Sequence, residues 1–221
     1  MILFTRQLTL SAAVFMGLSA CSAANDTASE AASTVKSAAA ALTPAANIGD
    51  APTGLYKSEA GHAYITMSYD HQGFSRPILR WGSFDALANI DSENPESSTL
   101  NVEIDAASID SGVAKFDEHL VAADFFDVAT YPTITFTATS MKQLVQGRGT
   151  VKGNQTIKDI TKPVTMDVTL NKVGKHFRTK KDMFGISATT MIRRDDFGVG
   201  KFGAVGQEVE VQIEVEFQKA D

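Results

Sequence analysis

The chain has 221 residues, of which 43% are hydrophobic and 21% charged, with 20 Lys and Arg against 26 Asp and Glu. The net charge of −6 at pH 7 argues against a protein that binds nucleic acid or docks on an anionic membrane through a basic surface. This length leaves room for one domain with a sizeable core, beside a leader and a linker.

The first twenty residues have the pattern of a secretory leader. Arg6 supplies a positive charge, residues 8–18 form a short apolar stretch, and Leu18-Ser19-Ala20-Cys21 reads as a bacterial lipobox. The apolar stretch is too short for the ~20 residues that cross a bilayer. We therefore expect residues 1–20 to be a lipoprotein signal peptide and Cys21 to be the site of lipid attachment. The alternative is an ordinary signal peptide followed by a free thiol, which would be unusual in an oxidising compartment.

Residues 21–50 have the composition of a flexible tether. They are mostly Ala, Ser and Thr without an aromatic residue, and they bury too little apolar surface to offset chain entropy. We expect an exported protein, anchored by its lipid to a membrane and facing the periplasm. Ser22 after the cysteine, where aspartate is absent, favours the outer membrane by analogy with lipoprotein sorting. The globular domain is then expected over residues 51–221.

From residue 51 onwards, apolar residues alternate with polar ones. The clearest case is the last strand, where Val209, Val211, Ile213, Val215 and Phe217 alternate with Glu or Gln. Such alternation is typical of strands with one face in an apolar interior and the other in water. It recurs at residues 65–69, 82–90, 100–104, 134–138, 164–170 and 184–188, and a strand weakened by glycines is expected at 147–153. Roughly eight strands predict an all-β, antiparallel barrel or sandwich.

One segment interrupts this period. Residues 116–126 space their apolar side chains more like a helix, and Tyr131-Pro132 ends the segment and begins the next strand. We expect a short helix that crosses one end of a barrel.

The inward positions of the predicted strands mix large and small side chains. Small residues on adjacent inward positions leave room for one ligand in an eight-stranded barrel, although a barrel packed solid also mixes sizes. The residues expected to line an apolar tunnel are Ile65, Met67, Tyr69, Phe84, Ala86, Ala88, Val102, Phe136, Val168, Phe184, Ile186, Ala188, Val211 and Ile213.

Six segments, in order along the chain, resemble the YceI-like family. They are residues 61–71 with two histidines, Gly82-Ser83-Phe84, residues 117–136, 153–164, 194–198 and 205–209. The resemblance extends from about residue 56 to the end. It implies a lipocalin-like, eight-stranded antiparallel β-barrel that binds a polyisoprenoid chain. The sequence departs from the family pattern at Ala63, Trp81, Asp195 and Gln207; Trp81 lies in a segment where glycine is common.

A few polar and aromatic residues are candidates for the mouth or lid of such a tunnel. His71 ends the first strand on the inward side, although a structural histidine is an alternative. His119 lies near several carboxylates, but the dispersed histidines lack metal-site spacing, so we expect no metal. Phe125 and Phe126 form either a lid or a plug of the core. The run 193–196 would either bind an anionic head group or form a salt-bridged turn.

The expected function is to bind an isoprenoid-type lipid, either a polyprenyl chain or a quinone tail, for carriage or sequestration. Two alternatives stay open: a structural or partner-binding lipoprotein with a packed barrel, and a quinone-presenting accessory of a membrane redox protein. We expect no enzyme, because no Gly-x-Ser-x-Gly elbow and no phosphate-binding loop occurs. No cofactor is expected other than a bound isoprenoid lipid or quinone, and the oligomeric state is not predicted.

Overall fold

A computed structural model describes residues 46–143, 147–200 and 205–221. The predicted signal peptide, Cys21 and most of the tether lie outside these residues. The strands are β1 (Gly54–Tyr69), β2 (Ile78–Trp81), β3 (Phe84–Ile90), β4 (Thr99–Asp105), β5 (Ile109–Asp110), β6 (Thr133–Gln143), β7 (Arg148–Ile157), β8 (Ile160–Lys175), β9 (Asp182–Arg193) and β10 (Glu208–Lys219), and the helix α1 is Ala114–Leu120. Short 3₁₀ turns occur at Ile48–Asp50, Pro95–Ser97, Ala106–Ser108 and Arg194–Phe197. Within the described ranges, no helix has the length and apolar character needed to cross a bilayer.

Eight of the strands close into an antiparallel barrel. The ring runs β1-β3-β4-β6-β7-β8-β9-β10, and β10 pairs back with β1 from Tyr69↔Val209 to Tyr56↔Lys219. Closure removes the unpaired edges that an open sheet would expose. The predicted all-β, eight-stranded barrel is therefore confirmed, as is the short helix, and the alternative of a two-sheet sandwich is wrong.

The strands β3 and β4 are each accompanied by a short additional strand, β2 and β5, beyond a break at the same level. Gly82 and Ser83 separate β2 from β3, and the 3₁₀ turn Ala106–Ser108 separates β4 from β5. The two breaks are joined, because Gly82 N donates to Ser108 O at 2.9 Å and Ser83 N donates to Ser108 Oγ at 3.0 Å. As a result β2 pairs with the far half of β1 while β3 pairs with its beginning. β2, β5 and α1 therefore lie at the barrel end where β1 finishes and β10 starts.

The interior contains two groups of buried apolar side chains. The first lies at the end that carries α1 and includes Ile65, Met67, Trp81, Leu120 and Phe126. The second lies at the opposite end, where aromatic rings fill the space between small residues. It contains Tyr56, Phe184, Phe217, Ala86, Ala88, Ala51, Ile90 and Val215.

The rings of the second group are in direct contact. Tyr56 and Phe184 have ring centroids 5.1 Å apart, and Phe184 stacks on Phe217 at 4.8 Å. The fully buried Tyr56 donates a hydrogen bond from Oη to Pro52 O at 2.7 Å. Burial raises the pKa of Tyr56 to about 12, with Asp182 contributing less. This end of the barrel is a packed core.

The glycine-rich strand β7 has a specific packing reason. The ring of Phe136 lies against the backbone of Gly153, so a Cβ at Gly153 would collide with the ring and lie 2.5 Å from Thr137 O. The register between β6 and β7 shifts just beyond the pair Ala138↔Gly153. The predicted irregular strand is thus confirmed, and the glycine admits a phenylalanine that fills the barrel.

Candidate functional site

A cavity of about 260 Å³, the main cavity, lies in the first apolar group. Its lining comes from the end of β1, from β2 and β5, from α1 and the turn after it, from the ends of β7, β9 and β10, and from the segment between β9 and β10. The lining residues are Met67, Tyr69, His71, Leu79, Trp81, Ile109, Phe116, His119, Leu120, Phe125, Phe126, Ile157, Ile192, Arg194, Phe197, Val199, Val205 and Val209. Most of these side chains are aliphatic or aromatic hydrocarbons. For scale, an engineered apolar cavity of about 150 Å³ holds benzene.

Aromatic rings form one wall of the main cavity. Phe126 is buried and meets Trp81 edge to face at 5.8 Å, so it belongs to the core. Phe125 is half-buried and contacts the rings of Phe116 at 6.4 Å and His119 at 4.8 Å. The two adjacent phenylalanines therefore differ: Phe126 plugs the core, and Phe125 covers the cavity from the side of α1.

Two polar side chains that line the main cavity, His119 and Arg194, form hydrogen bonds with other parts of the protein. His119 Nε2 lies 2.9 Å from Asp124 Oδ2, and this hydrogen bond holds the pKa of the exposed Asp124 carboxyl below its usual value. Burial raises the pKa of the Tyr69 phenol, against a smaller opposing effect of Arg194. Among the described residues, no group of three or more His, Cys, Asp or Glu is placed to hold a metal ion.

Arg194 lines the main cavity and donates hydrogen bonds to backbone carbonyls of the segment between β9 and β10. Its Nε donates to Gly206 O at 3.0 Å, Nη2 donates to Val205 O at 2.9 Å, and Nη1 donates to the carbonyls of Val199 and Gly200. Arg193 pairs with Asp195 at 2.8 Å. The run 193–196 therefore forms a 3₁₀ turn with an ion pair at the barrel rim, and its buried arginine binds backbone carbonyls.

Trp81, which lines the main cavity, carries a buried indole N–H without a hydrogen-bond partner among the described residues. The side chain is 6% exposed, and its Nε1 has no hydrogen-bond partner in the described part of the chain. The same holds for Oε1 of the half-buried Gln207, which does not line the main cavity.

The structure brings together part of the predicted site. All four mouth or lid candidates, His71, His119, Phe125 and Phe126, line the main cavity, as do Met67 and Tyr69 from the predicted tunnel set. The other predicted tunnel residues do not line it: Ile65, Phe84, Ala86, Ala88, Val102, Phe136, Val168, Phe184, Ile186, Ala188, Val211 and Ile213.

The reason for this difference is how the interior is filled. Ala86, Ala88 and Phe184 lie in the second group, where the rings of Tyr56 and Phe217 occupy the room that the alanines leave. Val168 and Ile186 line a separate, smaller cavity of about 110 Å³ near the β6–β7 turn. The main cavity is thus confined to one end of the barrel.

The cavity residues that the sequence analysis missed lie mostly outside the regular alternation. Leu79 and Trp81 belong to the short strand β2, Phe116 and Leu120 to α1, and Phe197 to a 3₁₀ turn. The helical spacing of residues 116–126 is the one signal that places apolar side chains at this end. Two broader clefts lie elsewhere. The cleft of about 510 Å³ is lined by residues such as Asp124 and Lys158. The cleft of about 520 Å³ is lined by charged residues such as Lys175 and Glu214 together with Phe184 and Val215.

Known proteins share this architecture. The barrel of BcnA from Burkholderia cenocepacia superposes with a TM-score of 0.65 at 22% identity, over 72% of this chain and 98% of that one. A polyisoprenoid binding domain from Saccharophagus degradans, implicated in plant cell wall breakdown, superposes with a TM-score of 0.57 at 10% identity, over 75% and 98% of the two chains. Both show the fold.

The sequence comparisons show the family. A UPF0312 protein of Pseudomonas putida is 36% identical over 170 residues, which cover 76% of this chain and 88% of that protein. Residues 56–217 match the YceI-like domain. The chain therefore belongs to the YceI-like domain family.

Proposed function

We propose that the barrel binds a lipid with an isoprenoid tail in the main cavity, and that it carries or sequesters this lipid while anchored to a membrane through Cys21. The observation that carries the proposal is an apolar cavity at one end of a barrel whose other end is packed. The description of the Saccharophagus degradans neighbour as polyisoprenoid binding supports the same class of ligand.

The size of the cavity limits how much of a tail it accepts. One water molecule takes up ~30 Å³ in the liquid, and one methylene group takes up a similar volume. The 260 Å³ of the cavity therefore hold about nine such groups. That is about two isoprenyl units. Burial of about nine such groups at ~0.8 kcal/mol each gives about 7 kcal/mol, which corresponds to a Kd of about 10 μM. A longer tail would extend beyond the cavity.

The same end of the barrel exposes large apolar side chains. Phe74, in the β1–β2 connection, is 86% exposed, and Ile78, the first residue of β2, is 70% exposed. Both lie between the cavity residues His71 and Leu79. Val113, just before α1, is also exposed. Exposed apolar side chains beside an apolar cavity favour contact with a bilayer or a lipid-bearing partner during exchange. We expect this end to face the membrane.

Binding can be tested with the protein's own fluorescence. Trp81 is the sole tryptophan of the chain and lines the main cavity, so occupancy changes its emission. Titration with geranylgeraniol should give a saturable change with a Kd on the order of 10 μM. An unchanged emission, together with no heat of binding by calorimetry, would refute the proposal.

The membrane anchor is tested separately. Replacement Cys21→Ser removes the proposed lipid attachment site, and the protein should then move from the membrane fraction to the soluble fraction. Stable anchoring needs more than one acyl chain, and the variant carries none. It should therefore be released fully. Continued sedimentation with membranes would contradict the lipoprotein assignment.

A further inference from the structure

We propose that Trp81 donates a hydrogen bond from Nε1 to an oxygen atom of the bound lipid, so that the barrel selects isoprenoids with an acceptor, such as a ketone, quinone or ether, over plain hydrocarbons. The inference rests on the proposed function and specifies its ligand. It is carried by an indole N–H that is buried in the cavity wall and has no partner among the described residues.

The surroundings of Trp81 offer the N–H no acceptor. Along the sheet the residue is paired with Ile65 on β1 and with Ile109 on β5, and its ring meets the edge of Phe126. Buried tryptophans usually find a hydrogen-bond partner, because a desolvated donor without one is unfavourable. Trp81 also lines the main cavity, and Nε1 itself is covered in this structure, so a small turn of the ring would bring the N–H to an acceptor on the molecule that occupies the cavity.

The position of Trp81 also places this contact inside the barrel. The paired residue Ile65 lies four residues before Tyr69 on β1, which is about 13 Å along the strand at ~3.3 Å per residue. Tyr69 and His71 line the cavity where the strand ends. An oxygen atom bound by Trp81 therefore lies inside the cavity, beside the hydrocarbon chain of the lipid. A polar group located at the end of β1 would instead lie near Tyr69 and His71.

Two probes that differ in one oxygen test the inference. Farnesylacetone is an isoprenoid ketone, and its deoxygenated hydrocarbon has the same carbon skeleton without the acceptor. We expect the wild-type chain to bind the ketone about tenfold more tightly than the hydrocarbon. Because Trp81 is the only tryptophan, its single indole N–H resonance should move downfield when the ketone binds and should not do so with the hydrocarbon.

Two replacements remove the donor. Trp81→Phe deletes the N–H together with part of the ring, and replacement of the sole tryptophan by benzothienylalanine deletes the N–H while it keeps the shape. Both should reduce the preference for the ketone to about one. The isosteric replacement, and the indole resonance of the wild-type chain, keep the test decisive if Trp81→Phe does not fold.

The outcomes separate the inference from the proposed function. If neither probe binds, both are wrong. If both probes bind equally and the indole resonance is the same with either, the barrel binds isoprenoids and the role of Trp81 is wrong. If the preference for the ketone survives the benzothienylalanine replacement, another group is the donor and the inference is overturned.

Discussion

The replacement Val209→Phe tests whether the main cavity is the lipid site. Val209 is 7% exposed, lies on β10 and lines the cavity. Phenylalanine carries four more heavy atoms than valine and takes the space of at least two carbon groups of a ligand. At ~0.8 kcal/mol per group, the lost burial is about 1.6 kcal/mol, so an isoprenoid should bind about 15-fold more weakly.

A matched control lies on the same strand. Val215 is 4% exposed and faces the same interior, but it packs in the second group with Phe184 and Phe217. Val215→Phe enlarges a side chain inside this packed group, so overpacking should cost about 1–3 kcal/mol. In a domain of this size each kcal/mol lowers the melting temperature by about 2–4 °C.

The assay compares affinity and melting temperature for the two variants. We expect Val209→Phe to lose affinity with little change in melting temperature, and Val215→Phe to lose stability while the folded protein keeps its affinity. Equal loss of stability in both variants, with unchanged affinity at Val209, would refute the division of the barrel into a packed end and an open end.

Three further predictions concern other parts of the barrel. Gly153→Ala should lower the free energy of unfolding by about 1–3 kcal/mol, because its Cβ collides with a buried ring, whereas Gly174→Ala, with no atom closer than 3.6 Å, should have little effect in denaturant titration. The pKa of Tyr56 is raised from 10.0 to about 12, so its contribution to stability is complete below pH 10 and is lost as the pH rises towards 12. The melting temperature of the wild type should therefore fall more steeply over this range than that of Tyr56→Phe, and parallel curves would be inconsistent with this cause. Phe74→Ser should slow lipid transfer between vesicles without a change in affinity, and Phe177→Ser should not, although Phe177 is also exposed, at the other end of the barrel. Equal rates in both variants would contradict a membrane-facing cavity end.

The strands of the barrel were predictable because their side chains obey a simple period. In β10, the inward residues from Val209 to Phe217 alternate with glutamate and glutamine, and the structure buries or half-buries each inward one. A strand that contacts water on one face must show this pattern, whatever its neighbours are. The number of such strands then favours closure or a sandwich, and the resemblance to the family distinguishes the two.

The position of the cavity was less predictable from alternation. Alternation tells which side chains face the interior, but it does not tell whether rings from other strands fill the space beside a small residue. Ala86 and Ala88 were expected to leave room, yet Tyr56 and Phe217 occupy it. The residues that keep the other end open come from α1, from turns and from the break at Gly82, where neighbours in space are distant in sequence.

The buried arginine shows the same limit. Arg194 lies in a charged run, which in sequence is equally compatible with a site for an anionic head group and with a rim turn. The structure directs its guanidinium to backbone carbonyls between Val199 and Gly206. Those partners follow from the path of a connecting segment, which no periodic pattern encodes.

The most direct test of lipid binding is to identify what the protein holds in cells. The full chain with Cys21→Ser would be purified from bacteria without detergent, extracted with organic solvent and measured by mass spectrometry. We predict an isoprenoid lipid in near-stoichiometric amount, and less of it in the same chain with Val209→Phe. An empty extract, together with no uptake of isoprenoids added to the purified protein, would contradict lipid binding and favour a barrel that acts through partner proteins.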